Sequence, residues 1–420
     1  MACSCVSQMS TNYIKMECEG MEKNHKSKIV VIKYMLVIFF ISRFCKFSFI
    51  DGVIQRIYAI LSLVISVFII VKFFKRKKMI LKYGDDRMIL LIIVYIFCFA
   101  FTTIINGASL YTLLSTYYPI IATMCFISMG QEDNPKALMC SYAVFLFIST
   151  FFNLIHGFLF LDNSSAYSNS TYLMGVQNQF GMIIAIAFAF VFAYCDLYST
   201  NKMKNFAIKM LMIVIAIANA IMMKSSTVFV CLLVILVMYL VPVVKNLLLK
   251  IKAKYIVIAY AAIWFALIVY RLQYLAANFI INILHKNLTL TSRTYVWDEA
   301  IRLIKQKLLF GYGKQSTTSV FTIVLPDFLG RDQTFVLSAH NQILQNLYEG
   351  GLVLLVLFGL IFILAIDSRN RRSRVSVYFI RSIIVILINW LSESPGDYGL
   401  FLLLTMNYYS WNLDIHKQIL

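Results

Sequence analysis

VIQRIYAILSLVISVFIIVKFFKRKK, residues 53–78, decides what kind of molecule this is. Residues 53–71 form a predominantly apolar run of about the length that crosses a bilayer as a helix. Lys72, Lys75, Arg76, Lys77 and Lys78 follow at once. Apolar length ending in a basic cluster is the pattern of a membrane span at its cytoplasmic end. Composition agrees across the chain: of 420 residues, 61% are hydrophobic and only 14% charged, which a water-soluble fold of this size cannot accommodate.

Working outward, similar runs occupy 29–49, 53–71, 88–105, 108–128, 137–160, 180–198, 206–223, 227–244, 255–275, 345–366, 378–391 and 399–413. The expected fold is therefore an all-α integral membrane protein with about twelve transmembrane helices. Residues 1–28 read as a cytoplasmic tail, 29–275 as helices one to nine, 276–344 as a large extracytoplasmic loop, and 345–420 as helices ten to twelve with a C-terminal tail. Charge sets the orientation, with both termini cytoplasmic. Lys202, Lys204, Lys245, Lys250, Lys252, Lys254, Arg369, Arg371, Arg372 and Arg374 gather on the side of the 72–87 loop. Asp51, Asp162, Glu393 and Asp397 fall on the other. The net charge of +19 then points to anionic lipid headgroups and not to nucleic acid. The nine cysteines form neither a disulfide framework nor a metal-ligand pattern. Residues 1–20 lack the apolar core of a signal peptide, and Met21–Lys28 reads as a cytoplasmic start.

The 276–344 loop is too long to be a plain connection. It carries Lys286, Arg293, Arg302, Lys305, Lys307, Lys314 and Arg331 against Asp298, Glu299, Asp327 and Asp332, a net cation excess on the otherwise acidic side. Within it SRTYVWDEAIRLIKQKLLFGYG, 292–313, reads as an amphipathic helix. Val296, Trp297, Ala300, Ile301, Ile304 and Leu308 share one face, Ser292 or Thr294 serves as cap, and Gly311 and Gly313 stop it. Trp297 and that stripe are expected at the headgroup boundary with the cations toward water. Arg293 stands at the helix N-terminus, where free N–H groups already favour an anion, and arginine grips phosphate with two donors. Farther on, SAHNQILQNLYEGG, 338–351, sets His340 at the mouth of an apolar run. An imidazole titrates near neutral pH and can act as a general base; the alternative is a helix cap. Asn341 can orient that histidine or a ligand. Glu349, an acid beside a span, calls for a basic partner, and Gly350 and Gly351 permit close helix packing. Arg43, Lys46, His156 and Arg271 lie near the outer face, where each can line a groove or snorkel to headgroups.

These residues, taken in order, resemble the O-antigen polymerase and O-antigen ligase superfamily of bacterial membrane glycosyltransferases. The resemblance rests on Arg293, Trp297 and Ala300; then Leu309, Gly311, Tyr312 and Gly313; then His340, Asn341, Leu344, Leu347, Gly350 and Gly351; and on GVQNQFG at 175–181 with Asn178 just before a span. The twelve-span plan, with its large loop before the third-last span, fits as well. One position departs: where the family carries an arginine after a serine, this chain reads MMKSST, with Lys224 as the nearest cation.

The resemblance implies a reaction on the outer face of a bacterial cytoplasmic membrane. A glycan on polyprenyl diphosphate passes to an acceptor hydroxyl, with no cofactor and no metal. It implies His340 and Arg293 as catalytic, and Arg331, Lys224, Asn341, Asn178, Trp297 and Glu349 as substrate-binding. The implied partners are a polyprenyl-diphosphate-linked oligosaccharide, membrane lipid, a chain-length regulator and a flippase. The expected function is polymerase of an O-antigen, capsule or exopolysaccharide. The alternatives are a ligase using another acceptor and a flippase of lipid-linked oligosaccharide. The absence of a D-x-D pattern, a P-loop or G-x-G-x-x-G speaks against metal and nucleotide use. Polar chemistry gathered in one external loop speaks for an enzyme.

Overall fold

The computed structural model describes residues 27–42, 44, 52–76, 87–160, 171–248, 251–277, 293–314, 321–326, 332–367 and 374–410. Helix α1 covers 27–41. It is followed by α2 (Gly52–Arg76), α3 (Arg87–Ile105), α4 (Leu110–Asp133), α5 (Pro135–Phe160), α6 (Phe180–Leu197), α7 (Lys202–Met223) and α8 (Ser226–Leu240). Then come the short α9 (Pro242–Leu248), α10 (Ala253–Trp264), α11 (Arg293–Gln306), α12 (Gln342–Asp367), α13 (Ser376–Trp390) and α14 (Tyr398–Tyr408). Local chemistry marks the ends. Ser109 accepts from the Thr112 amide to cap α4, and Asn201 accepts from the Lys204 amide to cap α7. Pro135 opens α5 at the position where a missing N–H costs nothing.

The layers sort by burial. In α6, 83% of the apolar window is inside the protein, against 22% in α2, so α6 is the centre and α2 an outer wall. Ala185, Ala187, Ala189 and Ala193 alternate along α6 with Phe188, Phe190 and Phe192, and α5, α7, α8 and α13 pack around it. The small residues let backbones approach while the rings fill the gaps. Along α2, Ile54, Ile57, Ile60, Val64, Val67 and Phe68 all face outward. An apolar surface of that extent is a liability in water and the natural exterior in lipid. The chain is a multi-pass membrane protein.

The count of twelve spans is not confirmed by the described residues. Among the described residues seven helices are long and apolar enough to cross a membrane, and Ser226–Leu240, Ala253–Val269 and Ser376–Trp390 are shorter apolar helices. Two causes are visible. The run expected at 227–244 ends at Leu240, and Pro242 begins a separate short helix. The run expected at 255–275 passes through a π-turn at Phe265–Val269 and stops at Arg271, whose φ is +55°.

The segment between α10 and α12 is also more structured than its sequence suggests. Its amphipathic helix spans Arg293–Gln306, not 292–313, and residues 307–312 form turns. Thr294 lies inside the first turn; Ser292 lies outside the described residues. Two strands that the sequence reading lacks, Phe321–Pro326 and Asp332–Leu337, pair antiparallel with Phe321 opposite Leu337 and Pro326 opposite Asp332. A shorter antiparallel pair joins Thr171–Tyr172 to Gly175–Val176. The expected headgroup placement of Trp297 is corrected. Val296, Trp297, Ala300 and Ile304 are buried against Trp264, Ile268, Ala339, Leu344 and Tyr348, so protein and not lipid covers these four, while Leu308 is exposed.

Helix α12 is broken at Gly351, where φ is +65° and ψ −167°. The turns after α11 enter this break. The amides of Tyr312 and Gly313 donate to the carbonyls of Tyr348 and Glu349, each at 2.8 Å, and those of Leu352 and Val353 donate to Leu308 and Leu309 at 2.9 and 3.2 Å. Backbone groups orphaned by the break are thus satisfied from outside the helix, as membrane depth demands. A Cβ on Gly351 would lie 2.3 Å from the Leu309 carbonyl oxygen, and one on Gly311 2.5 Å from that of Tyr348. Glycine is required at both positions by this close approach.

Candidate functional site

The Arg293 side chain, at the first residue of α11, donates from Nη2 to Glu393 Oε1. Glu393 follows α13, and its carboxylate is almost fully buried. The other carboxylate oxygen faces His340, with Nδ1 3.8 Å from Oε2. That separation exceeds a hydrogen bond, so the contact places the imidazole beside the carboxylate without bonding it. Arg293 and His340 lie far apart in sequence and meet at one carboxylate. Three elements supply them: the start of α11, the residue before the α12 cap, and the α13–α14 turn.

His340 has φ +45°, the left-handed region. Non-glycine residues hold this region only where the surroundings impose it, and here both neighbours are fixed. The Ala339 amide donates to Gln345 Oε1 at 3.1 Å. Asn341, fully buried, accepts from Trp264 Nε1 and from the Leu344 amide at 3.0 Å each, and donates to the Leu391 carbonyl at 2.9 Å. Asn341 therefore caps α12 and ties the α13–α14 turn to it; the cap is not His340. The His340 side chain is about a third exposed. With Nδ1 toward Glu393, its Nε2 is the nitrogen left for a ligand.

The turn that carries Glu393 is held from α12 as well. Gln342 Oε1 accepts from the Gly396 amide at 2.9 Å, and Gln342 Nε2 donates to Asp397 and to Asn346. Asp397 also accepts from Tyr117 at 2.8 Å, from Tyr95 at 3.5 Å and from Asn346 at 3.3 Å. Ser394 donates to Ser338 at 3.1 Å. Gln342 and Asn346, in the first turns of α12, face that turn, while Gln345 between them bonds Ala339 and Glu349.

Lys224 and Asn178 stand at the same end of the bundle. Lys224 terminates α7 in the left-handed region, with φ +49°, and its side chain is exposed. The next residue, Ser225, donates to Asn178 Oδ1 at 2.7 Å, and Asn389 donates to the Asn178 carbonyl at 3.2 Å. Thr227 shares a hydrogen bond with Ser392, the neighbour of Glu393. Glu349 lies deeper, in an ion pair with Lys314 at 2.8 Å and bonded to Gln345. Trp297 is sealed in the core, with the Arg271 guanidinium 5.1 Å above its ring. Arg271 also donates to the Thr294 carbonyl and to Asp298, fixing the first turn of α11 on which Arg293 rides. On the exposed side of α11, two hydrogen bonds from Arg302 hold the Glu299 carboxyl below its usual range. Arg331 and Lys286 lie outside the described residues.

The arrangement thus joins Arg293, His340 and Glu393 directly, with Asn341 as support and Lys224 and Asn178 adjoining. Glu393, Gln342, Gln345 and Asp397 were not read as site residues from the sequence. The only signal was two acids in a short outer loop, SESPGDYG at 392–399, on the side where Arg293 needs a counter-charge.

Residues 211–359 match a family model described as O-antigen ligase, which supports the O-antigen polymerase and ligase superfamily for this chain. The matched segment holds Lys224, Arg293 and His340 and ends before Glu393. No curated protein matches the sequence significantly.

Proposed function

We propose that this protein, in keeping with that superfamily match, polymerises a surface polysaccharide. The donor is a glycan on polyprenyl diphosphate, and the acceptor is a hydroxyl of a lipid-linked repeat unit at the outer face of the membrane. The observation that carries the reading is the convergence of Arg293 and His340 on Glu393. The acceptor oxygen forms a bond to the anomeric carbon as the carbon–oxygen bond to the diphosphate breaks. The electron pair leaves with the diphosphate, and the acceptor proton passes to His340 Nε2. Glu393 opposite Nδ1 stabilises the imidazolium that results, as the acid does in other acid–histidine pairs. Arg293 has five N–H donors and one carboxylate partner, so donors remain for a diphosphate oxygen whose charge grows in the transition state. Exposed Lys224 at the same end supplies a second cation to the leaving group.

Transfer to a different acceptor, as in a ligase, is the second reading, favoured by the printed description of the matched family. The two share this chemistry and differ in what brings the hydroxyl. A purified-protein assay with a synthetic polyprenyl-diphosphate repeat unit and no added metal tests the proposal. Wild type is expected to build a ladder of lengthening lipid-linked products, and His340→Ala and Arg293→Ala to lose it. A ladder of equal rate from His340→Ala removes the base from the scheme. No ladder from wild type, with transfer to an added non-identical acceptor, replaces polymerase by ligase.

A further inference from the structure

A second cationic centre lies at the opposite end of the bundle. Arg381 is in the second turn of α13, while Glu393 follows that helix's far end. Asp196 at the end of α6, Lys209 near the start of α7 and Tyr239 at the end of α8 lie around it. Arg381 is 4% exposed. Its guanidinium sits between two rings, 5.1 Å from Tyr239 and 5.8 Å from Tyr378. Cation–π contact stabilises such a group but supplies no hydrogen-bond acceptor.

The nearby acceptors are already engaged. Asp196 Oδ1 pairs with Lys209, and Asp196 Oδ2 accepts from Tyr378 at 2.6 Å. Tyr239 donates to the Tyr378 carbonyl and shares a bond with Ser382. Arg381 Nε is buried with no acceptor, and its terminal nitrogens find none among the described residues, although they are not sealed. The first turn of α13 beside it has no side-chain cap, so its amides also favour negative charge. Arg381 and Lys209 against Asp196 leave one cation in excess. A guanidinium almost wholly buried, with its Nε sealed from water and no acceptor among the described residues, is costly unless an outside anion reaches its terminal nitrogens and completes it.

We infer that Arg381 is the base of an anion site for a phosphate group, supplied by the headgroup of an anionic phospholipid in the leaflet opposite the Glu393 site. Phosphate matches the planar fork of arginine, and the flanking tyrosines suit the headgroup boundary. Basic pockets between helices at a membrane edge recognise such headgroups. The inference does not rest on the transferase reading.

The test uses the full chain in nanodiscs of phosphatidylcholine with graded phosphatidylglycerol, with bound lipid counted by native mass spectrometry and melting followed in parallel. Wild type is expected to retain phosphatidylglycerol over phosphatidylcholine. Arg381→Met is expected to bind it about tenfold more weakly, the scale of one lost charge-assisted contact. Arg381→Lys, which keeps the charge and loses the fork, should fall between them. Lys202→Gln, at the same end but exposed, should leave retention unchanged. Inorganic phosphate added to phosphatidylcholine discs separates the sources: stabilisation by it equal to that by phosphatidylglycerol overturns the lipid assignment. Equal retention by wild type and both Arg381 variants, or no headgroup preference in wild type, overturns the site itself.

Discussion

At the scale of single residues, the carboxylate of Glu393 holds the candidate site together. Glu393→Gln keeps the shape and removes the charge that both Arg293 and His340 face. Loss of a preorganised charge is expected to lower kcat by about 10²-fold with a smaller change in donor KM, measurable in steady-state assays. An unchanged kcat would reduce Glu393 to a structural partner of Arg293. His340 gives a complementary test. Its left-handed backbone is a conformation glycine adopts freely, and relief of such strain is worth about 1 kcal/mol. His340→Gly should therefore melt at or above the wild-type temperature while losing transfer, whereas His340→Ala should lose both. The sequence singled out Arg293 and His340 because each is the wrong residue for its surroundings, a fork at a helix start and an imidazole at the mouth of an apolar run, and the structure brings both to Glu393. Glu393 was not legible, because an acid in a short outer loop also satisfies the orientation rule and needs no further reason. The sequence reading gave Asn341 the task of orienting His340 or a ligand. Only the structure shows its three hydrogen bonds going to protein.

At the scale of elements, α12 is two helical pieces completed by a strip of backbone from the loop after α11. Gly351→Ala meets both a disallowed conformation and the Leu309 carbonyl. The strain alone costs about 1–3 kcal/mol, so the variant should melt well below wild type, with the loss visible before any effect on substrate affinity. The ion pair that seals the insertion can be read by a double-mutant cycle. Glu349→Leu leaves the largely covered Lys314 without its partner, and such a loss costs about 3–5 kcal/mol, whereas Lys314→Met with Glu349→Leu should cost less than either single change. If the double variant is worse than both, hydrogen bonds such as that of Gln345 outweigh the charge pair. The glycine motif and the GYG motif were each visible in the sequence. Their contact was not, because nothing in spacing says that one motif fills the gap made by the other. The same limit hid the covering of Trp297: an amphipathic stripe looks identical whether lipid or protein meets it.

At the scale of the whole molecule, hydropathy identified the class and most helix centres, since a 19-residue apolar run has few alternatives. It missed the breaks at Pro242 and at the π-turn before Arg271, because the apolar stretch still looks continuous there. Charge gives an orientation that the chain can be asked about directly. A single cysteine placed at Arg302, in a cysteine-free background, should react with an impermeant maleimide added outside intact cells. One at Lys202 should react only after permeabilisation, and the reverse pattern would invert the topology. The insertion into α12 also constrains biogenesis. The second half of α12 cannot reach its final form by partitioning sideways into lipid alone. The residues that complete its hydrogen bonds precede it in the chain, in the segment after α11, so that segment must be in place first. This protein should therefore show a late assembly step after insertion, in which a membrane-embedded but unlocked α12 waits for Leu308 to Gly313 to arrive.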